Sequence, residues 1–244
     1  ARCACSGPGK MSTGGPKGPP QLLELRAAVD ERGAVAAWET RAWLPVATAN
    51  LPGVPLLAPD AAKIAQPQGR STGLIHQNVD PPYGFANMHA TVHWLADAPL
   101  RTSALRAPGK IANSFAVESF TDEIAALARV DPLEFRLRHL TNPRGIEVLR
   151  ALAGRMGWQA RPSPRGGDPA AAVFAGRGLA YVHYKHDETL VAMGMEVEVE
   201  RATGRIRVKR VVCAQDCGLV INPDNVRSQV EGNILQTLSR ALHE

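Results

Sequence analysis

Three short segments of this sequence combine residue types and spacing that suit chemistry. The first is Arg101-Thr-Ser-Ala-Leu-Arg-Ala-Pro-Gly109, which leaves a strand-like stretch and enters a helix-like one. Pro108 and Gly109 bend the backbone there and leave amides free, and Arg106 adds a permanent cation with several donors. Such a loop before a helix start suits an anion such as a phosphate. An ordinary strand-to-helix connection with surface arginines is the simpler reading of spacing alone. The second segment is Asp216-Cys-Gly-Leu-Val-Ile-Asn-Pro-Asp224, in which Asn222 or Asp224 can serve simply as a helix cap. The third is Gln229 with Glu231, early in the helix that follows. A Gln near a helix start donates through its amide to the same anion that the helix N–H groups attract. Exposed Gln and Glu side chains are equally common in that place.

Metal and nucleophile chemistry finds less support. His89 and His93 lie four residues apart in a strand-like stretch, a spacing that gives no clear chelate, and no Glu-x-x-His accompanies them. Cys213 and Cys217 have no second pair at zinc-finger distance, and with Cys3 and Cys5 they form no secreted disulfide framework. Neither a metal ligand set nor a catalytic residue is assigned. No Gly-x-Ser-x-Gly, phosphate loop or dinucleotide fingerprint occurs.

The elements that must position these segments read as α+β, with mixed sheets and packed helices. Leu22 to Val29 and Ala34 to Val46 alternate around the turn Asp30–Gly33 and predict a hairpin. His89 to Leu95 predicts a further strand. Residues 50–90 read as a long loop with short strands. A helix is expected over Ser114 to Ala128, with Phe115, Phe120, Ile124 and Leu127 on its apolar side and Glu118, Asp122 and Glu123 on the other. Asp131-Pro132 predicts a second helix start and Gly145 to Trp158 a third helix. Residues 159–176 read as a linker. Gly178 to Tyr184 predicts a short strand. Thr189 to Glu200 and Arg205 to Val212 predict a second hairpin, stabilised by Glu–Arg pairs worth about a few tenths of a kcal/mol each. A last helix is expected from Asp224, with Val226, Val230, Ile234, Leu238 and Leu242 on one stripe, and it breaks off at Glu244 without a stop signal.

Composition narrows the classes. The chain has 244 residues, 45% of them hydrophobic and 21% charged, which is ordinary globular composition. Its 28 Lys and Arg exceed its 23 Asp and Glu, giving a net charge of +5. These bases are scattered and form no run, so a nucleic-acid partner is not expected. No apolar stretch approaches the 18 or so residues of a transmembrane span.

Taken in order, the motifs resemble a known family. They are Leu-Arg-Thr-Ser-Ala-Leu-Arg-Ala-Pro-Gly (100–109), Phe-Ala-Val-Glu-Ser-Phe-Thr-Asp-Glu-Ile-Ala (115–125), Asp-Pro-Leu-Glu-Phe-Arg-Leu-Arg-His-Leu (131–140), Glu-Val-Glu-Val (196–199), Thr-Gly-Arg-Ile-Arg-Val (203–208), Asp-Cys-Gly-Leu-Val-Ile-Asn-Pro-Asp (216–224) and Gln-Val-Glu-Gly (229–232). Each is weak alone, but seven in this order are specific. The arrangement resembles the molybdopterin-binding large subunit of the xanthine dehydrogenase/aldehyde oxidase family. The stretch 78–88 and Asn-Pro-Arg at 142 look most like isoquinoline 1-oxidoreductase and nicotinate dehydrogenase large subunits. The resemblance covers roughly residues 17–244, while residues 1–16 stay unmatched and are expected to be disordered.

The resemblance implies a role for each loop. Arg106 occupies the position whose loop, with Leu105 and the backbone amides of Ala107 and Gly109, lies against the molybdenum cofactor. Gln229 matches a glutamine that hydrogen-bonds the pterin. The implied cofactor is molybdopterin, in its cytosine dinucleotide form as in bacterial relatives. The implied reaction hydroxylates a heteroaromatic ring or an aldehyde with water as oxygen source. A glutamate acts as base, and electrons leave through an iron–sulfur small subunit, with a cytochrome as a further acceptor. Two parts of the cofactor-binding region are expected, 17–158 and 177–244. The family's catalytic Glu lies in a Gly-x-Gly-Glu segment, which this sequence lacks. The chain is therefore expected to be a fragment of a longer bacterial enzyme, inactive alone, from the cytoplasm or periplasm. A non-catalytic binding or scaffold domain derived from the family, recognising a partner through the 191–212 hairpin, is the alternative.

Overall fold

A computed structural model describes residues 18, 20–46, 61–63, 74–96, 106–164, 166–168, 170–185 and 188–243. Strand β1 (Leu22–Val29) and strand β2 (Val35–Pro45) are joined by a tight turn, in which Asp30 N donates to Ala34 O and the Asp30 carboxylate accepts from the amides of Arg32 and Ala34. This is the hairpin that the alternation predicts. Trp38, Thr40, Ala42 and Leu44 of β2 face the core, while Glu39, Arg41 and Trp43 face outward. Strand β3 (Met88–Leu95) then pairs with β2 in parallel, from Trp38 opposite Met88 to Pro45 opposite Leu95. The sheet order is β1-β2-β3. Ala42 and Leu44 pack with Ile75 and Val79, which come from the turn just before β3.

Helix α1 (Lys110–Leu127) begins four residues earlier than Ser114. Its burial overturns the expected faces. Phe115 and Leu127 are 73% and 76% exposed, whereas Asn113, Val117, Glu118, Thr121, Ile124 and Ala125 are buried. Polar side chains enter the buried stripe because each finds partners there, which removes most of the cost of their desolvation.

Helix α2 (Pro132–His139) starts as expected, with Asp131 as cap accepting from Leu133 N and Glu134 N. Helix α3 (Pro143–Met156) is capped by Asn142, and Gly157 closes it in the left-handed conformation (φ 62°) that lets its N–H return to the last turn. Buried Val148, Leu149, Leu152 and Met156 give α3 an inner face.

Strand β4 (Val173–Tyr184) is longer than the short strand expected, and begins inside the stretch read as a linker. Strands β5 (Thr189–Glu200) and β6 (Ile206–Asp216) complete an antiparallel sheet of order β4-β5-β6. The charge pairing across β5 and β6 is present, with Lys209 Nζ 3.2 Å from Glu198 and Arg210 Nη1 3.5 Å from Glu196. Helix α4 (Pro223–Leu242) forms on the expected stripe, yet none of its residues is buried. Among the described residues, no helix is long and apolar enough to cross a membrane.

The chain divides into two compact units. One contains residues 1–28, 37–81 and 87–117, and the other 29–36, 82–86 and 118–244.

Candidate functional site

The loop before α1 belongs to the first unit. Arg106 and Ala107 are exposed there, and Leu105 lies outside the described residues. Ala107 adopts a left-handed backbone (φ 58°), which costs a residue with a Cβ about 1–2 kcal/mol. Lys110 N donates to Ala107 O (3.1 Å) and Asn113 N to Gly109 O (3.1 Å), so the loop runs directly into the helix. Gly109 is buried with φ 71°, and a Cβ there would lie 1.9 Å from the carbonyl oxygen of Ile75. Only a glycine fits, for reasons of both space and backbone.

The turn over residues 74–79 is the wall against which Gly109 packs. Asn113, with no exposed surface, donates from Nδ2 to Ile75 O (2.8 Å) and Gln77 O (2.9 Å). Its Oδ1 accepts from Gln21 Nε2 (3.0 Å), so donors and acceptor of the carboxamide are all engaged. Lys110 Nζ donates to Gln77 Oε1. The result is an exposed cation and bent backbone in front, and a locked polar layer behind. Sequence reasoning does not single out Asn113 or Gln21, because the partners of Asn113 are mostly main-chain groups far along the chain.

Gln229 lies in the second unit, exposed on the second turn of α4. Asn222 is the cap of this helix, its Oδ1 accepting from Asn225 N at 2.9 Å. Of the two capping candidates, the structure selects Asn222. The Asp216 carboxylate accepts from Arg144 Nε and Nη2, each at 2.7 Å, and from Gly218 N at 2.9 Å. These hydrogen bonds, the Arg144 pair foremost, hold its pKa down to about 2. Leu219 and Ile221, between that pair and the Asn222 cap, are 87% and 84% exposed.

His93 and His89 each meet a neighbouring side chain. His93 stacks on Trp43 with ring centroids 5.0 Å apart, and His89 shares a hydrogen bond with Thr91 (2.9 Å). Burial pushes the Cys213 thiol up from its ordinary pKa. Among the described residues, no group of three or more His, Cys, Asp or Glu side chains is placed to hold a metal ion.

Two family models match the sequence, both described as a molybdopterin cofactor-binding domain. One covers residues 58–140 and the other residues 170–244. A nicotinate dehydrogenase subunit of Pseudomonas putida is 36% identical over 235 residues, spanning 94% of this chain and 19% of that protein. The isoquinoline 1-oxidoreductase beta subunit of Brevundimonas diminuta is 42% identical over 141 residues, spanning 57% of this chain and 17% of that protein. The chain thus spans about a fifth of the length of these curated relatives. The solved aldehyde oxidoreductase of Desulfovibrio desulfuricans shares the fold at 13% identity, with a TM-score of 0.60 over 92% of this chain and 40% of that one. Arg106, Ala107 and Gly109 fall within the first matched region and Gln229 within the second. With both cofactor-binding segments present in order, the chain belongs to the molybdopterin-binding large-subunit family of xanthine dehydrogenase and aldehyde oxidase.

Proposed function

We propose that this chain supplies part of the protein wall around molybdopterin in a multi-subunit molybdenum hydroxylase. Arg106, with Leu105 and the amides of Ala107 and Gly109, lies against the anionic part of the cofactor, and Gln229 hydrogen-bonds its pterin. The observation that carries this reading is the Arg106–Gly109 loop, which pairs an exposed guanidinium with a bent backbone entering an 18-residue helix. That donor set suits phosphate and pterin oxygens, since guanidinium and helix-start amides all donate.

In this reading the cofactor is the cytosine dinucleotide form, whose additional phosphate needs more donors than the bare pterin. When bound, it supplies the oxidation and hydroxylation chemistry. The chain's own residues bind and orient it, while the general base comes from elsewhere, since no Gly-x-Gly-Glu segment is present. Substrates are a heteroaromatic ring or an aldehyde, with an iron–sulfur subunit as first electron acceptor. The heteroaromatic substrate is supported by two similar proteins, which are subunits of a nicotinate dehydrogenase and of an isoquinoline 1-oxidoreductase. The test is Arg106→Ala in the native protein, made in cells that synthesise the cofactor. Molybdenum and released pterin per polypeptide should fall, and unchanged content would overturn the role of Arg106.

A further inference from the structure

We propose that Asn113 is the positioning residue of the Arg106–Gly109 loop, holding it in receiving shape through the carbonyls of Ile75 and Gln77. This rests on the reading of that loop as a cofactor wall. Asn113 does not reach the exposed front of the loop, since it is fully buried and its carboxamide is committed to Ile75, Gln77 and Gln21. Its backbone amide meets Gly109 O, so one residue ties the end of the loop to the turn behind it.

Two further features make this a positioning device rather than ordinary packing. Gly109 presses its bare Cα against Ile75, so the loop cannot approach the turn in this way with any larger residue. Ala107 and Asn78 both hold left-handed backbones, at φ 58° and 64°, one in each of the two segments that Asn113 joins. Residues with a Cβ stay in that region only where their surroundings over-determine it. The carboxamide acts on the turn, at the Ile75 and Gln77 carbonyls beside Asn78, and the Gly109–Ile75 contact carries the constraint to the loop. The carboxamide's two donors face two carbonyl oxygens, a pattern that an Asp or a hydrocarbon cannot reproduce. The loop is therefore shaped before cofactor arrives, which spares the binding step the entropy of ordering it.

The experiment compares variants of the native protein by molybdenum and pterin content at limiting cofactor, together with melting temperature. Asn113→Ser, too short to span both carbonyls, should lower occupancy on the order of tenfold, the effect of losing roughly one net hydrogen bond of preorganisation. Gly109→Ala should do the same through the other contact. Thr40→Val removes an equally buried hydrogen bond of the same unit, in which Trp38 Nε1 donates to Thr40 Oγ1 at 2.8 Å. It should lower the melting temperature and leave occupancy at the wild-type level. Amide hydrogen exchange on the unaltered protein without cofactor should already show the Lys110 and Asn113 amides protected, since they donate to Ala107 O and Gly109 O, and this decides the matter if a variant fails to fold. Equal loss of cofactor in Thr40→Val and Asn113→Ser at matched stability would overturn the proposal, as would free exchange of the Lys110 and Asn113 amides until cofactor binds. Loss of cofactor in Arg106→Ala but not in Asn113→Ser removes only the positioning role. Full retention in Arg106→Ala removes the underlying reading, and this inference with it.

Discussion

Glu118 and Arg136 form an ion pair closed to solvent, with Arg136 Nε 3.0 Å from Glu118 Oε2 and the side chains 7% and 0% exposed respectively. Both charges are fully used. Arg136 also donates to Asp122 Oδ1, Pro132 O and Glu118 O. Glu118 accepts from Tyr83 OH at 2.7 Å and from Tyr181 N at 2.7 Å. One carboxylate thus joins α1, α2, β4 and the segment at Tyr83 within the second unit.

Removing one partner should be far more damaging than the exposed pairs of the β5–β6 hairpin would suggest. Arg136→Met leaves a buried carboxylate without its cation, and is expected to destabilise by about 3–5 kcal/mol. Arg210→Ala, at a half-exposed pair, should cost about 1 kcal/mol or less. Chemical denaturation of the two variants checks the contrast. A loss below about 1 kcal/mol for Arg136→Met would contradict the closed network. Burial alone would lower the pKa of Arg136, but Glu118, Tyr83 and Asp122 reverse that, so the guanidinium stays charged at any pH the fold survives.

The same network orders the tyrosines. Burial, reinforced by the Glu118 carboxylate, lifts Tyr83 well above the ordinary phenol, and lifts Tyr181 to about 12. A folded pKa above the unfolded one means the protonated form is favoured by folding. The stabilisation is full below about pH 10 and lost as pH rises through the folded values. Ultraviolet phenolate titration should therefore show Tyr83 ionising only with alkaline unfolding, and Tyr83→Phe should remove its share of the change. A Tyr83 phenolate in the folded protein near pH 10 would contradict the burial.

What the sequence reveals and what it conceals divides along the range of the interaction. Asp131-Pro132 and Asn222-Pro223 are legible as helix starts because a cap and its amides lie within three residues, whereas the helix capped by Asn142 starts two residues before the Gly145 expected. The β5–β6 hairpin is legible because its charges face each other across a short turn. The inner face of α1 is not. Periodicity puts Phe115 inside and Glu118 outside, while the partners that draw Glu118 inward sit at Tyr83, Arg136 and Tyr181. The loop at Arg106 shows itself through its Pro and Gly. Asn113 does not, since two of its three side-chain partners are carbonyls with no residue identity to read.

Asp131 is a second buried carboxylate with more than one task. Beyond capping α2, it accepts from Trp158 Nε1 at 3.1 Å and from Arg161 N at 2.8 Å, tying the exit of α3 to the entry of α2. Asp131→Ala should cost more than the roughly 1 kcal/mol of a simple cap, about 2–4 kcal/mol, because two further part-buried donors lose their acceptor. Asn142→Ala, a cap with an exposed partner at Arg144, should cost about 1 kcal/mol. Equal losses in thermal or urea unfolding would show that the Trp158 and Arg161 contacts contribute nothing.

The Arg144–Asp216 pair provides a pH signature. Its partners lie 72 residues apart and are half-exposed, so the stabilisation is modest, but its direction is fixed. A depressed carboxylate pKa contributes stability above the unfolded value, about 3.9, which fades as pH falls through the folded value of about 2. Wild type and Asp216→Asn should therefore differ in stability at pH 6 and converge between about pH 4 and pH 2. Arg144→Gln should bring the Asp216 carboxyl back toward the ordinary range in a carboxyl NMR titration. A difference that persists unchanged at pH 2 would place its origin elsewhere than in the charge.

Leu219 and Ile221 test the other extreme, apolar side chains that contribute nothing to the core. Each is more than four-fifths exposed, so folding removes little of their surface from water. Leu219→Ser and Ile221→Ser should each change the unfolding free energy of the 244-residue chain by no more than about 0.5 kcal/mol. Leu149→Ala, at a position with no exposed surface on α3, should cost about 2–5 kcal/mol through lost burial and the cavity left behind. Denaturant unfolding of the three variants reads the comparison directly. A cost above about 1 kcal/mol at Leu219 or Ile221 would mean that the segment between the Asp216 pair and the Asn222 cap is covered in solution, and that its exposed apolar residues belong to an interface rather than to free surface.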